Sequence, residues 1–76
     1  MNNIRRKRIE ELIESIEEIK SILEEISEDE EQARDNMPES LWGTERYEKI
    51  ESACENLSGA YSSLEEACDY LQEAKE

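Results

Sequence analysis

The sequence contains no histidine and no phenylalanine, and only one proline and two glycines among its 76 residues. Without histidine it lacks the side chain that most often acts as a general base near neutral pH. It also lacks the glycine-rich loop that holds phosphates in nucleotide-binding enzymes. Carboxylates are abundant, but their number indicates a solvated surface rather than paired acid–base chemistry. We therefore expect a protein that is not an enzyme and has no catalytic residues.

Metal ligands and cofactor motifs are equally scarce. Cys54 and Cys68 lie fourteen residues apart, which is about 21 Å along a helix and far beyond disulfide reach. With no histidine and no C-x-x-C pair, they form no zinc motif. The acidic run 28–31 lacks the spacing and the glycine turn of a calcium loop. The sequence predicts no metal site and no cofactor, and buried thiols that pack as small apolar groups.

Long apolar runs are absent as well. No stretch approaches the roughly 18 apolar residues of a membrane span, and the first residues lack the apolar core of a signal peptide. We expect a cytoplasmic protein without membrane contact.

Negative charge dominates the chain, whose net charge is −13. From Ile9 onward 22 acidic residues stand against five basic ones, and the run Arg5–Arg8 holds the other four. Such a surface repels phosphates, so we expect no direct nucleic-acid partner. The basic run has two interpretations. It is a small patch for nucleic acid or membranes or, as its isolation favours, it pairs across the open end of the fold with Asp69, Glu73 and Glu76.

Apolar residues recur every three or four positions in the first half of the chain, a spacing typical of coiled-coil helices. This predicts a helix over residues 3–34, capped by Asn2 or Asn3. Only Glu30 interrupts the apolar seam, and Ile13 and Ile22 widen it. The predicted seam is Ile9, Leu12, Ile16, Ile19, Leu23, Ile26, Glu30, Ala33 and Met37.

A turn is predicted over residues 35–44, because Pro38 disfavours a helical Met37 and Gly43 permits an unusual backbone. Thr44 fits the N-cap of a second helix over residues 45–74. An alanine every seventh residue lets a neighbouring helix approach this second helix closely. Its seam is Tyr47, Ile50, Cys54, Leu57, Tyr61, Leu64, Cys68 and Leu71, and the alanines are Ala53, Ala60, Ala67 and Ala74.

Two helices of similar length with a short connection predict one domain, an all-α, antiparallel, coiled-coil-like two-helix hairpin. Such a pair encloses no pocket of the roughly 300 Å³ that a substrate needs. A turn centred near Ser40 sets the register, with a shift of one heptad left open. The predicted pairs are Ile26 with Cys54, Leu23 with Leu57, Ile19 with Tyr61, Ile16 with Leu64, Leu12 with Cys68 and Ile9 with Leu71.

The apolar stripes are wider than one neighbouring helix can cover. Each helix shows three apolar positions per heptad, whereas a single neighbour covers about two. We therefore expect the chain to form a homodimer in which two hairpins pair as a four-helix bundle.

Aromatic residues gather at the predicted tip, where Trp42 lies in the turn beside Leu41 and just before Tyr47. They either close the apolar end as a plug or anchor a partner, since tryptophan and tyrosine dominate binding hot spots. Tyr70 falls off the seam at the other end and marks a second contact or a dimer interface. The candidate partner-binding residues are Trp42, Leu41, Tyr47 and Tyr70.

A moderately specific pattern runs through the second half of the chain. It consists of Asp35-Asn36, Pro38-Glu39, Leu41, the run Glu45-Arg46-Tyr47-Glu48, and Ala53-Cys54 followed by Leu57. Through it residues 35–74 resemble an uncharacterised family of short acidic proteins from bacterial and phage-like mobile elements. The first helix matches only in style, and Trp42 stands where a polar residue is expected. The resemblance implies a helical hairpin and a mobile-element context, without an activity.

Our leading hypothesis is a small acidic protein–protein interaction module, an accessory of a phage or mobile element that binds and inhibits or adapts a host protein. One alternative is an acidic mimic of nucleic acid. The net charge of −17 from Ile9 onward, spread over about 45 Å, is roughly one charge per 2.6 Å, against about 1.7 Å for duplex DNA. The other alternative is a structural spacer.

Overall fold

The computed structural model describes all 76 residues as two long helices joined by a short loop. Helix α1 spans Asn3–Asp35 and helix α2 spans Glu45–Ala74, with one 3₁₀ turn at Glu39–Leu41 between them. The predicted all-α hairpin is confirmed, and the helix bounds differ from the predicted ones by a single residue at the end of α1. Neither helix is long and apolar enough to cross a membrane.

Local sequence signals set the helix ends. The side chain of Asn2 accepts a hydrogen bond from the backbone N–H of Arg5 at 2.8 Å, and the hydroxyl of Thr44 accepts one from that of Tyr47 at 3.3 Å. These side-chain caps satisfy N–H groups that have no partner within the helix. In the loop Gly43 has a φ of +82°, in the left-handed region that favours glycine. The chain reverses there, and α2 returns along α1.

The hairpin is an elongated slab one layer thick, with Cα extents of 59 × 15 × 12 Å. Only three of its 76 residues are buried, namely Ile13, Cys54 and Cys68. A single pair of helices has one seam and two open sides, so most seam side chains remain half-exposed. So small a core stabilises a chain of this length weakly, and small domains commonly add to it by association.

The helix seam of α2 is the predicted one, but that of α1 is not. The side chains that face α2 keep the three- and four-residue spacing and share Ile9, Ile16 and Leu23 with the prediction. Between them the structure places different residues in the seam. Ile13, Lys20, Ser27 and Arg34 take the positions predicted for Leu12, Ile19, Ile26 and Ala33.

The predicted pairs that use Leu12, Ile19 and Ile26 are therefore wrong, since these side chains are 54%, 51% and 49% exposed. The two cysteines show the actual register. Cys68 lies beside Glu17 and Lys20, and Cys54 lies beside Arg34 and Glu30. Each thiol lies beside α1 residues that are about one helical turn or more C-terminal to its predicted partner.

Lys20 shows how a polar residue occupies the seam. Its side chain is only 13% exposed, and its ammonium lies 3.6 Å from the Glu17 carboxylate and 5.2 Å from the centre of the Tyr61 ring. The methylene stem fills the seam while the charge keeps polar and aromatic partners. A lysine at a seam position fixes register at a cost in stability. Apolar content alone favours a seam through Leu12, Ile19 and Ile26, and the predicted seam of α1 is wrong for that reason.

Arg6 closes the open end of the hairpin. Its Nε donates to the carbonyl oxygen of Lys75 at 2.8 Å and its Nη2 to that of Glu76 at 3.1 Å. These carbonyls are the negative end of the α2 dipole. The predicted pairing of the basic run with α2 thus occurs at Arg6, with backbone carbonyls in place of the carboxylates of Asp69, Glu73 and Glu76.

Candidate interaction faces

Exposed aliphatic side chains form one stripe along α1. Leu12, Ile19, Ile22 and Ile26 are between 49% and 58% exposed. Their spacing of three, four or seven residues stacks them on one side of the helix over about 21 Å. Contiguous exposed apolar surface, unlike scattered exposed residues, marks a site of interaction.

The alanines of α2 lie on the same side of the hairpin as this stripe. In both helices the stripe residue comes just before a seam residue, as Ile19 precedes Lys20 and Ala60 precedes Tyr61. A residue one position earlier in a helix is rotated by about 100° around the helix axis. Because the helices are antiparallel, this rotation turns both stripes toward one side. We call it the apolar face, formed by Leu12, Ile19, Ile22, Ile26, Ala53, Ala60, Ala67 and Tyr70.

The two halves of the apolar face differ in height. The α1 half carries four branched aliphatic side chains, whereas the α2 half consists of alanines with Asn56 and Ser63 between them. Tyr70, 65% exposed, is the exception and stands toward the open end. The aliphatic side chains of α1 thus form a ridge, and the small side chains of α2 beside it form a lower surface that we call the alanine shelf. Tyr70 is the one large side chain on this shelf.

The opposite side carries most of the negative charge. Residues that follow a seam residue are rotated about 100° the other way. Such residues of α1 and of α2 lie on one side of the hairpin. A shallow cleft there is lined by Glu24 and Glu31 of α1 together with Ser58 and Ser62 of α2. We call this side the acidic face. Its acidic members, all exposed, are Glu10, Glu14, Glu17, Glu24, Glu28, Glu31, Asp35, Glu48, Glu51, Glu55, Glu65, Asp69 and Glu76.

Charge is therefore segregated between the two sides of the slab. Thirteen acidic residues and one basic residue, Lys7, lie on the side of the acidic face. The side of the apolar face has a single acidic residue, Asp29, and four basic ones. Those four lie toward its two ends and are Arg5, Arg8, Arg46 and Lys49. Most of the negative charge is thus directed away from the apolar face.

Three of the four candidate binding residues meet at the tip. The indole N–H of Trp42 donates to the carbonyl oxygen of Met37 at 3.2 Å, and its ring lies 6.1 Å from that of Tyr47, tilted by 36°. Leu41 is 37% and Trp42 52% exposed. The indole is hydrogen-bonded within its own loop while its ring stays half-exposed, and both the plug and the anchor interpretation stay predictions. Tyr70 lies at the far end, on the apolar face.

Burial changes the pKa values of titratable groups in the seam. Burial raises the pKa of Cys54 and of Cys68, and nearby carboxylates add to the effect. Burial also raises the pKa of Tyr47, together with its hydrogen bond to Glu51. Both thiols are free and buried, which confirms the prediction that they pack as small apolar groups.

Neither a metal cluster nor an enclosed cavity is present in the hairpin. No group of three or more acidic or thiol side chains converges on one point. Each surface cleft is open and lined by four to six residues. The absence of catalytic, cofactor and metal sites stays a prediction.

A comparison of the chain with protein-family models, curated proteins and solved structures finds no match. The two faces are therefore defined by this chain's own geometry. The apolar face was not predicted, because apolar spacing alone places Leu12, Ile19 and Ile26 inside the seam. The overlooked signal is charge, since residues after the true seam positions are mostly acidic and residues before them almost never are.

Proposed function

We propose that the protein is a small, non-catalytic protein–protein interaction module that binds a helical partner through its apolar face. The observation that carries this proposal is the line of half-exposed Leu12, Ile19, Ile22 and Ile26 beside an alanine stripe. Amphipathic helices dock on such surfaces with anchors spaced three, four and seven residues apart. The segregation of acidic residues onto the other side supports it, because an apolar partner then meets almost no charge.

Covering this face contributes free energy toward association. Full burial of a leucine or isoleucine contributes about 1.5–3 kcal/mol. Covering the exposed half of four such side chains contributes about 3–6 kcal/mol, before any contribution from the alanine shelf. That gain is set against the loss of translational and rotational freedom on binding.

The resemblance of residues 35–74 to mobile-element proteins supports a more specific proposal. In it the module is a phage or mobile-element accessory that binds and inhibits or adapts a host protein in the cytoplasm. The acidic face would keep such a small module soluble and away from nucleic acid.

Photo-crosslinking tests the interaction module. We expect benzoylphenylalanine in place of Ile22, in full-length protein expressed in bacteria, to give covalent adducts on irradiation. The matched control places the same residue at Glu28, six positions along α1 and on the acidic face, where we expect none. A spacer predicts no adduct at either position. Absence of adducts at Ile22 would overturn the proposed function.

The acidic face favours a second candidate function, mimicry of nucleic acid toward a basic protein. Thirteen exposed carboxylates lie on one side of a slab that is 59 Å long. Binding through these carboxylates is electrostatic, involves few apolar contacts, and weakens steeply as the salt concentration rises. A partner lost in high salt and in the variant Glu17→Gln/Glu24→Gln/Glu31→Gln supports mimicry, whereas a salt-resistant partner lost in Ile22→Glu supports docking on the apolar face.

A further inference from the structure

We infer that the occupant of the apolar face is a second copy of this chain, bound so that the two α1 helices run antiparallel across the interface. The inference rests on the proposed function and names the partner of the same face. The positions of apolar, charged and aromatic residues along that face support self-pairing.

Three residues of the α1 stripe, Leu12, Ile19 and Ile26, are arranged symmetrically about Ile19. Ile19 lies midway between Leu12 and Ile26, seven residues from each. When two copies of the stripe are laid antiparallel and centred on Ile19, the two central isoleucines meet. Leu12 of each copy then meets Ile26 of the other. These three residues are thus covered by apolar side chains, and Ile22 of each copy lies level with residue 16 of the other, between its Ser15 and Ile19.

The same superposition pairs opposite charges. Arg8 lies eleven residues before Ile19 and Asp29 ten residues after it, both exposed and on the side of the apolar face. Within one chain they are about 32 Å apart along the helix. In the antiparallel pair, Arg8 of each copy lies beside Asp29 of the other. The only acidic residue on this side thus finds a basic partner, twice per dimer.

The α2 half of the face is complementary in the same way. Glu17 and Lys20 approach Cys68 and Tyr61, so Ile19 is level with a point near Glu65. Ala60 and Tyr70 lie five residues to either side of Glu65. Antiparallel packing therefore places each exposed Tyr70 ring over the other copy's Ala60. The alanine shelf has the room that this large side chain requires.

The apolar side of the hairpin is large enough for an interface between two copies. It extends about 32 Å along α1, from Arg8 to Asp29, and about 36 Å along α2, from Arg46 to Tyr70. At about 10 Å per helix this is roughly 680 Å², within the roughly 600–1,000 Å² that each partner of a specific complex buries. Covering the face would convert the half-exposed seam into the core of a four-helix bundle. Both acidic faces would then point outward, about 20 Å apart, beyond the Debye length of about 8 Å.

A charge swap measured by sedimentation equilibrium of the full chain at low ionic strength tests this arrangement. We expect a wild-type dimer, and about tenfold weaker dimerisation in either Arg8→Glu or Asp29→Arg, because each places like charges together at both ends of the interface. The double variant Arg8→Glu/Asp29→Arg should recover the wild-type constant within about twofold. The matched controls are Lys7→Glu, Glu28→Arg and their combination. They make similar charge changes one residue earlier, on the acidic face, and should show no such rescue.

Each outcome has a distinct meaning. A double variant as weak as the single ones would overturn the antiparallel arrangement. A wild-type chain that is a folded monomer at high micromolar concentration would overturn self-pairing. In that case an Ile22 photo-adduct to another protein would leave the proposed function standing. An adduct of twice the 8.9 kDa chain mass would support self-pairing, and no adduct of any kind would overturn the proposed function itself.

Discussion

Leu12 and Ile13 are neighbours in sequence with opposite environments, 54% and 8% exposed. Their difference distinguishes the seam of the structure from the one that apolar content favours. We expect Ile13→Ala to lower the free energy of unfolding by about 2–4 kcal/mol, because it leaves a cavity in the seam. Leu12→Ala should cost less than about 1 kcal/mol in dilute, monomeric protein. Urea unfolding measures both, and an equal loss would contradict the observed rotation of α1.

Proton binding in the seam predicts how stability depends on pH. Burial raises the pKa of Cys54, Cys68 and Tyr47. Burial acts to lower the pKa of Lys20, but Glu17 and Tyr61 raise it above its ordinary value. All four groups hold their protons more tightly when folded, so their contribution is full below the unfolded pKa values and is lost as pH rises.

We therefore expect a melting temperature that is level near neutral pH and falls between about pH 8.5 and 10.5. The variant Cys54→Ala/Cys68→Ala removes the two groups that titrate first, so its decline should begin at higher pH. Melts followed by circular dichroism give both curves. A melting temperature that rises across this range would show that the signs are wrong.

At the scale of the elements, the helices, both N-caps and the turn were predictable because their signals are local. Asn2, Thr44, Pro38 and Gly43 each act on the backbone within a few residues. The rotation of α1 about its axis was not predictable from apolar spacing. Two overlapping seams share Ile9, Ile16 and Leu23, and the choice between them depends on tertiary contacts such as those of Lys20.

Alanine substitutions at the two glycines should change the free energy of unfolding in opposite directions, which tests whether local backbone preferences determine the helices and the turn. Gly59 lies inside α2, and a Cβ added there meets nothing within 4 Å. We expect Gly59→Ala to stabilise the fold by about 0.5–1 kcal/mol through helix propensity. Gly43→Ala also meets open space, but its φ of +82° is strained for alanine. It should destabilise by about 1 kcal/mol. Urea unfolding in which both changes shift stability in the same direction would contradict the account.

At the scale of the whole molecule, the hairpin is a slab with one apolar and one acidic side and a core of three residues. The position of Trp42, Leu41 and Tyr47 at the tip was predictable because they are close in the chain, and their role in binding stays a prediction. The apolar face was not predictable, since that surface exists only once the seam of α1 is known. Stripes wider than one neighbour can cover predict a second layer, and the homodimer that would supply it stays a prediction.

The most direct test of the two-sided account adds the same charge at consecutive residues of α1. Ile22 lies on the apolar face and Ser21 on the side of the acidic face, and both are exposed. Neither Ile22→Glu nor Ser21→Glu should reduce the helicity of the dilute monomer.

The measurement is the dimerisation constant of each variant by sedimentation equilibrium. The account predicts that Ile22→Glu weakens association by about a hundredfold or more, because it places an unpaired carboxylate in the interface. Ser21→Glu should change the constant by less than about threefold, since its carboxylate stays in water. Association that is unchanged in Ile22→Glu, or lost equally in both variants, would contradict the assignment of the apolar face.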